Sequence, residues 1–228
     1  FQQIGREADM VVIVGGDGTI LMALEHITKP VFSINTGSVG FLAEVEAHEA
    51  IEGMKRVLKG DYFIEKRMKV KVNLGKKRLA DATNEVVIHT ANIGKILSLQ
   101  LAVNGVTAEE IDGDGVIIAS PTGSTSYVFS VGGPVVDPTM EAFIVAPMAP
   151  FRHISSPLVI PADKKISVKK LGEKTANLVV DGMHSFPVSS KDEIIITKSP
   201  RKVSFIRLED NFYKKVYERL SVRGKFKK

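Results

Sequence analysis

Three stretches of the chain carry residue types and spacings that suit chemistry on an anionic, sugar-bearing ligand. The first is Val11-Val12-Ile13-Val14-Gly15-Gly16-Asp17-Gly18-Thr19. Glycines around one carboxylate let backbone N–H groups approach an anion closely and leave room beside the acid. The apolar run after Thr19 suits a helix, whose N-terminus favours phosphate. The second is Asn35-Thr36-Gly37-Ser38-Val39-Gly40, a glycine loop after a short strand predicted over 30–34. The third is Asp112-Gly113-Asp114-Gly115, followed by the apolar run Val116-Ile117-Ile118-Ala119 and by six hydroxyl side chains between Ser120 and Tyr127. Hydroxyls together with free N–H groups can satisfy a sugar and a phosphate. Plainer readings exist for each: a turn whose helix is capped by Asp17 or Thr19, and a helix start capped by Thr122 or Ser124.

Other chemistries find little support. The chain has no cysteine, which excludes disulfides, cysteine nucleophiles and thiolate metal sites and fits a cytoplasmic protein. Its five histidines, His26, His48, His89, His153 and His184, show no ligand spacing, so no dedicated metal site is expected. There is no G-x-x-x-x-G-K-[ST] loop and no G-x-G-x-x-G fingerprint. Any phosphate on the ligand is expected on the glycine loops instead, whose backbone N–H groups are open to an anion. The net charge is +5, but the 201–228 tail alone sums to +7, with ten Lys/Arg against three Asp/Glu. The basic balance thus belongs to the tail. With no Trp and no aromatic residues interleaved with basic runs, nucleic acid is not an expected partner. No apolar run is long enough for a membrane helix and no signal-peptide pattern is visible.

The elements that must position these residues fall into two groups. Strands are predicted over 7–14 and 30–34, the first as a central strand covered on both faces, with a helix after Thr19 and another over 47–58 whose apolar face is Ile51, Met54, Val57 and Leu58. From residue 61 the pattern changes to short strands with turn residues between them. A half-solvated strand is predicted over 63–74, and further strands over 79–89, 96–103, 115–119, 142–146, 157–160, 165–169, 177–180, 193–197 and 203–207. Asn104-Gly105 is a hairpin signal. A short amphipathic helix over 212–220 ends the chain. The fold expected is α/β plus all-β. A small Rossmann-like α/β domain (1–60) is followed by a larger β-rich domain (61–208) and a C-terminal helix (209–228) returning to the first.

Taken together and in order, GGDGTIL, NTGSVGFLAE, NEVVIH, DGDGVIIASPTGSTSY and SVGGPVVDP resemble the NAD kinase family. The resemblance covers nearly the whole chain. GGDG alone is shared with diacylglycerol, sphingosine and 6-phosphofructokinases. The resemblance implies phosphorylation of the adenosine-ribose 2′-hydroxyl of NAD by ATP or polyphosphate, with the donor on Gly15, Gly16, Asn35, Thr36 and Gly37, a divalent cation (Mg or Mn) accompanying the donor, and a homodimer or homotetramer. Carried onto matching positions, it implies Asp17 as general base, with Gly18 in contact with the ligand. Asn84 and Glu85 are implied as the NAD-contacting pair and Asp114 as the acid at the nicotinamide end. Thr125, Ser126, Tyr127, Val128, Phe129 and Ser130 are implied as the adenine- and ribose-binding run, and Ala149 as a lining residue. Four positions depart from the commoner pattern: Met22 and Asp112 replace basic or polar residues, Lys95 stands where His or Arg is common, and Met183 stands where a polar residue is usual. Lys95, Asp112 and Met183 are retained as candidate contacts.

Overall fold

The structure, a computed structural model, describes residues 8–37, 40–92, 94–151 and 156–221. Glu7 at the start of the first predicted strand, Ser38 and Val39 in the second loop, and His153 lie outside the described residues. In chain order the strands and helices are β1 (Val11–Val14), α1 (Asp17–Leu24), β2 (Val31–Asn35), β3 (Val45–Glu46), α2 (Ala50–Leu58), β4 (Phe63–Leu74), β5 (Lys77–Arg78) and β6 (Glu85–Thr90). There follow β7 (Leu97–Val103), β8 (Val106–Gly113), β9 (Gly115–Ala119), α3 (Tyr127–Ser130), β10 (Ala142–Met148), β11 (Leu158–Pro161), β12 (Ile166–Leu171), β13 (Ala176–Val180), β14 (His184–Val188), β15 (Glu193–Arg207) and α4 (Phe212–Val216). The chain forms two compact units. One joins the residues up to Lys66 with those from Ser204 onward, and the other is Arg67–Val203.

The smaller unit is α/β. β1 and β2 pair in parallel from Val11↔Val31 to Val14↔Ile34, with α1 as the crossover between them. β2 also pairs in parallel with β3, and with the end of β15 at Phe205↔Val31. Phe32, Ile34, Val57 and Ile206 form the core, with Met54 and Leu208 packed on it. Two expectations are corrected here. β1 lies at the end of its sheet's strand order, and Val12 and Val14 are 40% and 58% exposed. Four β-branched residues gave β1 its strand propensity but did not make it central. On α2 the buried face is Gly53 and Val57, while Ile51 and Leu58 are exposed. Gly53 decides that rotation, because a Cβ there would meet the Phe32 ring and Val45 at 3.0 and 3.3 Å. The first turn of the predicted second helix is instead a 3-10 turn over Ala47–Glu49, closed by reciprocal bonds between Glu46 and Glu49.

The C-terminal segment belongs to this unit. The Leu208 N–H donates to Glu44 Oε1 (2.8 Å) and Lys215 Nζ donates to the Ala43 carbonyl (2.7 Å). The predicted terminal helix is α-helical only through α4, and Tyr217–Ser221 continues as a wider π turn.

The larger unit is two antiparallel sheets around one core. One contains β15, β12, β7 and β8 in that order, and the other is β11-β10-β9-β6-β13-β14. Met68, Leu97, Leu99, Ile166 and Ile194 from the first meet Val86, Ile88, Ile118, Phe143 and Leu178 from the second. The β7–β8 hairpin turns at Asn104-Gly105 with φ of 50° and 83°, the left-handed pair that an Asn-Gly turn supplies. β6 is covered on both faces: Val86 and Ile88 point into the main core, and Val87 joins Ile117, Ala119, Val128 and Ile144 in a second cluster on the outer face.

Several strand expectations change. Over 67–70 β4 does not alternate between solvent and core, because Arg67 and Lys69 are each only 4% exposed; the solvated residues are in its first half, at Phe63, Ile64 and Lys66. β3, β5, β8 and β14 were not expected. β8 carries Ala108, Glu109, Glu110 and Asp112, and β14 carries Pro187, so propensity hides both. The strand predicted over 79–89 begins at Glu85, after an isolated bridge between Val70 and Ala82. The two strands predicted over 193–197 and 203–207 are one, β15, running through Pro200.

Candidate active site

In the smaller unit the glycine-rich turn after β1 places Asp17 at the first position of α1. Gly16 is the N-cap, and no side chain caps the helix, so neither Asp17 nor Thr19 plays that part. The Asp17 carboxylate points instead at the second loop. Oδ2 accepts the Phe41 N–H (2.7 Å) and Oδ1 accepts the Leu42 N–H (3.1 Å). Gly40 makes this approach possible, since a Cβ there would overlap the carboxylate. Gly16 and Gly18 are different. Neither has a positive φ, and no atom stands within 4 Å of where a Cβ would go. Nothing within the described residues calls for glycine at either place, whereas close approach by a ligand would.

The loop that faces Asp17 is braced from behind. Arg207 Nη1 donates to the Leu42 carbonyl (3.2 Å) and pairs with Glu44 (2.8 Å), and Arg207 Nε pairs with Glu65 (3.0 Å). Arg207 and Glu44 are buried, so this is an ion pair removed from water. Asn35 is also held: its Nδ2 donates to both Glu46 oxygens and its Oδ1 accepts the Gly37 N–H (3.2 Å). Asn35, expected to touch a donor, has its side chain taken up inside the unit and buried. Thr36 and Gly37 are exposed, and a Cβ on Gly37 would lie 3.7 Å from Gly16 Cα. Gly15 is required by packing, because a Cβ there would press on Thr19 at 2.7 Å.

The larger unit holds a cavity of about 380 Å³ on the outer face of the six-stranded sheet. Glu85, Val87 and His89 line it from alternate positions of β6, with Val179, Met148, Asp114 and Tyr127 around them. Apolar side chains and a few polar groups share the lining, the usual form of a small-molecule site. Glu85 Oε1 accepts Ser126 Oγ (3.2 Å), while Glu85 Oε2, Asn84 Oδ1, Thr83 Oγ1 and Thr122 Oγ1 are buried with no hydrogen-bond partner. Buried polar atoms are nearly always satisfied, so this cluster marks a place where a ligand's donors belong. Burial, reinforced by the nearby Asp181, pushes the Glu85 carboxyl up to about 7, against the pull of Ser126.

The backbone under this site is tightly fixed. Ser120 Oγ donates to the Thr83 carbonyl (2.6 Å), and the Ser120 N–H donates to the Asn84 carbonyl (2.8 Å). Gly123 must be glycine, because a Cβ there would overlap the Asn84 backbone. The hydroxyl run forms a 3-10 turn over Thr122–Thr125 and then α3, with no side-chain cap. Ser124 bonds the Val136 carbonyl and N–H (each 3.1 Å) instead, which ties the run to the segment after α3.

The remaining expected residues are placed unevenly. Thr125 is half-buried, and Tyr127, Phe129 and Ser130 are exposed. Val128 is fully buried in the outer-face cluster, so its side chain serves packing and only its backbone is left for a ligand. Ala149 is exposed at a positive φ of 43°. Met183 follows the Asp181-Gly182 turn and is 36% exposed. Asp112 accepts Ser98 Oγ (2.5 Å) across the β7–β8 ladder and does not line the cavity. Lys95 is exposed, beside the cavity-lining Gly94. Sequence reasoning missed the cavity residues Val87, His89, Thr90, Gly94, Met148, Val179 and Gly182. Period-2 spacing from Glu85 was the available signal for Val87 and His89.

By fold the chain is similar to dinucleotide kinases. It superposes with a TM-score of 0.81 on a crystal structure of an NAD kinase from Archaeoglobus fulgidus in complex with ATP, at 38% identity over 91% of this chain and 82% of that one. With yeast NADH kinase complexed with NADH the TM-score is 0.89, at 26% identity over 99% of this chain and 70% of that one. Residues 1–62 match the family model of the ATP-NAD kinase N-terminal domain, and residues 83–208 match that of the C-terminal domain. NAD kinase from Thermococcus gammatolerans is 44% identical over 95% of this chain and 80% of its own length, and that from Methanothermobacter thermautotrophicus is 42% identical over 96% and 78%. The chain belongs to the NAD kinase family.

Proposed function

We propose that the residue set described above carries the phosphorylation of NAD to NADP that the family performs. The enzyme transfers a phosphoryl group from ATP to the 2′-hydroxyl of the adenosine ribose of NAD. The observation that carries the residue assignment is the cluster of buried, unpartnered acceptors at Asn84 and Glu85 beside the cavity. Ribose hydroxyls are donors that such acceptors lack. Tyr127 offers a ring face or edge to adenine, and Asp114, which also lines the cavity, is assigned to the nicotinamide side of the substrate.

Asp17 accepts the proton of the ribose 2′-hydroxyl as that oxygen bonds the γ-phosphorus of ATP and ADP departs. Its two amide donors fix its orientation, and a second lone pair on each oxygen remains for the hydroxyl. Phosphoryl transfer depends mainly on positioning and charge neutralisation, so a modest base suffices. The open positions at Gly16 and Gly18 let donor phosphates approach backbone amides, as do the exposed Thr36 and Gly37. Among the described residues no three His, Asp or Glu side chains converge as a metal cage. A Mg or Mn ion accompanying the donor would be held mainly by the phosphates and would neutralise their charge.

The test is to incubate the protein with NAD, magnesium and a panel of ATP and polyphosphate donors, and to follow NADP with an NADP-specific dehydrogenase. NADP should form, and Asp17→Asn should lower turnover roughly 10²-fold or more, the general-base range. Unchanged turnover in that variant removes the base assignment. We further place the protein in the cytoplasm, as a homodimer or homotetramer with domains at 1–60, 61–208 and 209–228. Sedimentation of the NAD-bound protein tests the assembly, and limited proteolysis tests the boundaries.

A further inference from the structure

We propose that Asp181 is a positioning residue for dinucleotide recognition: it clamps the backbone at Thr83, Asn84 and Glu85 so that Asn84 Oδ1 and Glu85 Oε2 stand ready for the substrate. This rests on the reading of the cavity given above. Asp181 occupies the turn between β13 and β14 with φ of 48°, a left-handed conformation that Asp tolerates better than most residues. Its carboxylate reaches across to β6. Oδ2 accepts the Thr83 N–H (2.6 Å), and Oδ1 accepts those of Asn84 (2.8 Å) and Glu85 (3.0 Å). In return the Asp181 N–H donates to the Glu85 carbonyl (3.0 Å).

The sheet does not need this charge. The β6–β13 ladder already runs from Val180↔Val86 to Ala176↔Thr90. A buried carboxylate at its end carries a desolvation cost, and it raises the proton affinity of Asp181 itself, opposed by the three amides and by Lys69. All three of these side-chain bonds are accepted from N–H groups, which suits the ionised form. What the clamp fixes is the stretch that carries the unpartnered acceptors Asn84 Oδ1 and Glu85 Oε2, the second of which lines the cavity.

The same charge acts on Glu85 directly. The groups facing Glu85 are Asp181 from the β13–β14 turn and Ser126 Oγ from the hydroxyl run, and Lys69 of β4 acts on Asp181. The other titratable groups lining the cavity are His89, Asp114 and Tyr127. His89 Nδ1 lies 2.7 Å from the Thr90 carbonyl, which can only accept, so that nitrogen carries a proton.

The experiment is calorimetric titration with NAD, without a phosphoryl donor, from about pH 5.5 to about pH 8.5, a window that brackets a single ionisation near neutrality. Wild-type protein, Asp181→Asn and Glu85→Gln are compared, with Tm recorded for each. Wild-type affinity should rise with pH as Glu85 ionises and accepts a ribose hydroxyl. Asp181→Asn should weaken NAD binding about tenfold at neutral pH, equivalent to about 1.4 kcal/mol, and move the midpoint to lower pH because Glu85 loses a like-charged neighbour. Glu85→Gln should abolish the midpoint. If Asp181→Asn lowers Tm but leaves both Kd and midpoint at the wild-type values, Asp181 is structural only and the proposal is overturned. If wild-type protein does not bind NAD, the reading of the cavity fails instead. Should Asp181→Asn not fold, amide hydrogen exchange of the wild type decides. Slow exchange at Thr83, Asn84 and Glu85 before NAD is added supports a preformed clamp, and protection that appears only with NAD overturns it.

Discussion

Single residues in this protein are set by what surrounds them more than by their own type. Asp17 and Asp181 are both acids that accept backbone amides, yet the roles we propose for them differ: one meets a reacting hydroxyl and the other positions the chain. Glycine shows the same division. Gly40 and Gly123 are demanded by protein atoms, whereas Gly16 and Gly18 face open space. This yields a sharp expectation at Gly40. Gly40→Ala puts a methyl group where the Asp17 carboxylate lies, so the acid must turn away from Phe41 and Leu42. Turnover should fall about 10²-fold, the cost of misplacing a catalytic group by about an ångström, while Kd for NAD changes little. Steady-state kinetics beside NAD titration checks this, and wild-type kcat in the variant would contradict the placement of Asp17.

At the scale of elements, the loop over 40–44 is held from two sides. Asp17 takes its amides, while Arg207 at the end of β15 and Lys215 on α4 take its carbonyls. The C-terminal segment therefore braces a loop far from it in sequence, and the brace is the buried Arg207–Glu44 ion pair with the half-buried Glu65 beside it. Removing one member of such a group leaves charge without compensation. Arg207→Ala should destabilise the protein by about 3–5 kcal/mol, whereas replacing the whole group with apolar residues of like volume should cost far less. Urea unfolding of the single and triple variants separates the two cases, and a near-neutral single variant would show that the group is not desolvated in solution.

For the whole molecule, the substrate site and stability pull against each other. Glu85 carries a proton up to about pH 7 in the folded protein, whereas in the unfolded chain it ionises near its ordinary 4.5. Between those values the folded state binds more protons than the unfolded one, so this group's contribution to stability falls as pH rises. It is fully present below 4.5 and lost through about 7. At about 1.4 kcal/mol per unit, the loss is on the order of a few kcal/mol. Glu85→Gln should therefore raise Tm relative to wild type at about pH 8, with the gain shrinking toward about pH 5, while NAD affinity drops. Thermal melts across pH measure this, and a Tm difference that does not vary with pH would assign the effect to packing alone.

The sequence by itself determined the chemistry-bearing loops, the change from an α/β to a β-rich pattern near residue 61, and the family. These features are local. Glycine spacing around Asp17, the Asn104-Gly105 turn and the hydroxyl run after β9 depend on backbone conformation and side-chain type that neighbours in sequence dictate. Only the tertiary structure decided that β1 lies at an edge, that Gly53 turns the α2 face, and that Asn35 and Val128 are committed to the interior. It alone brought Asp181 onto the amides of Thr83, Asn84 and Glu85, nearly a hundred positions away. Which face is buried and which charge meets which amide depend on contacts between distant segments, and such contacts leave no periodicity in the chain to read.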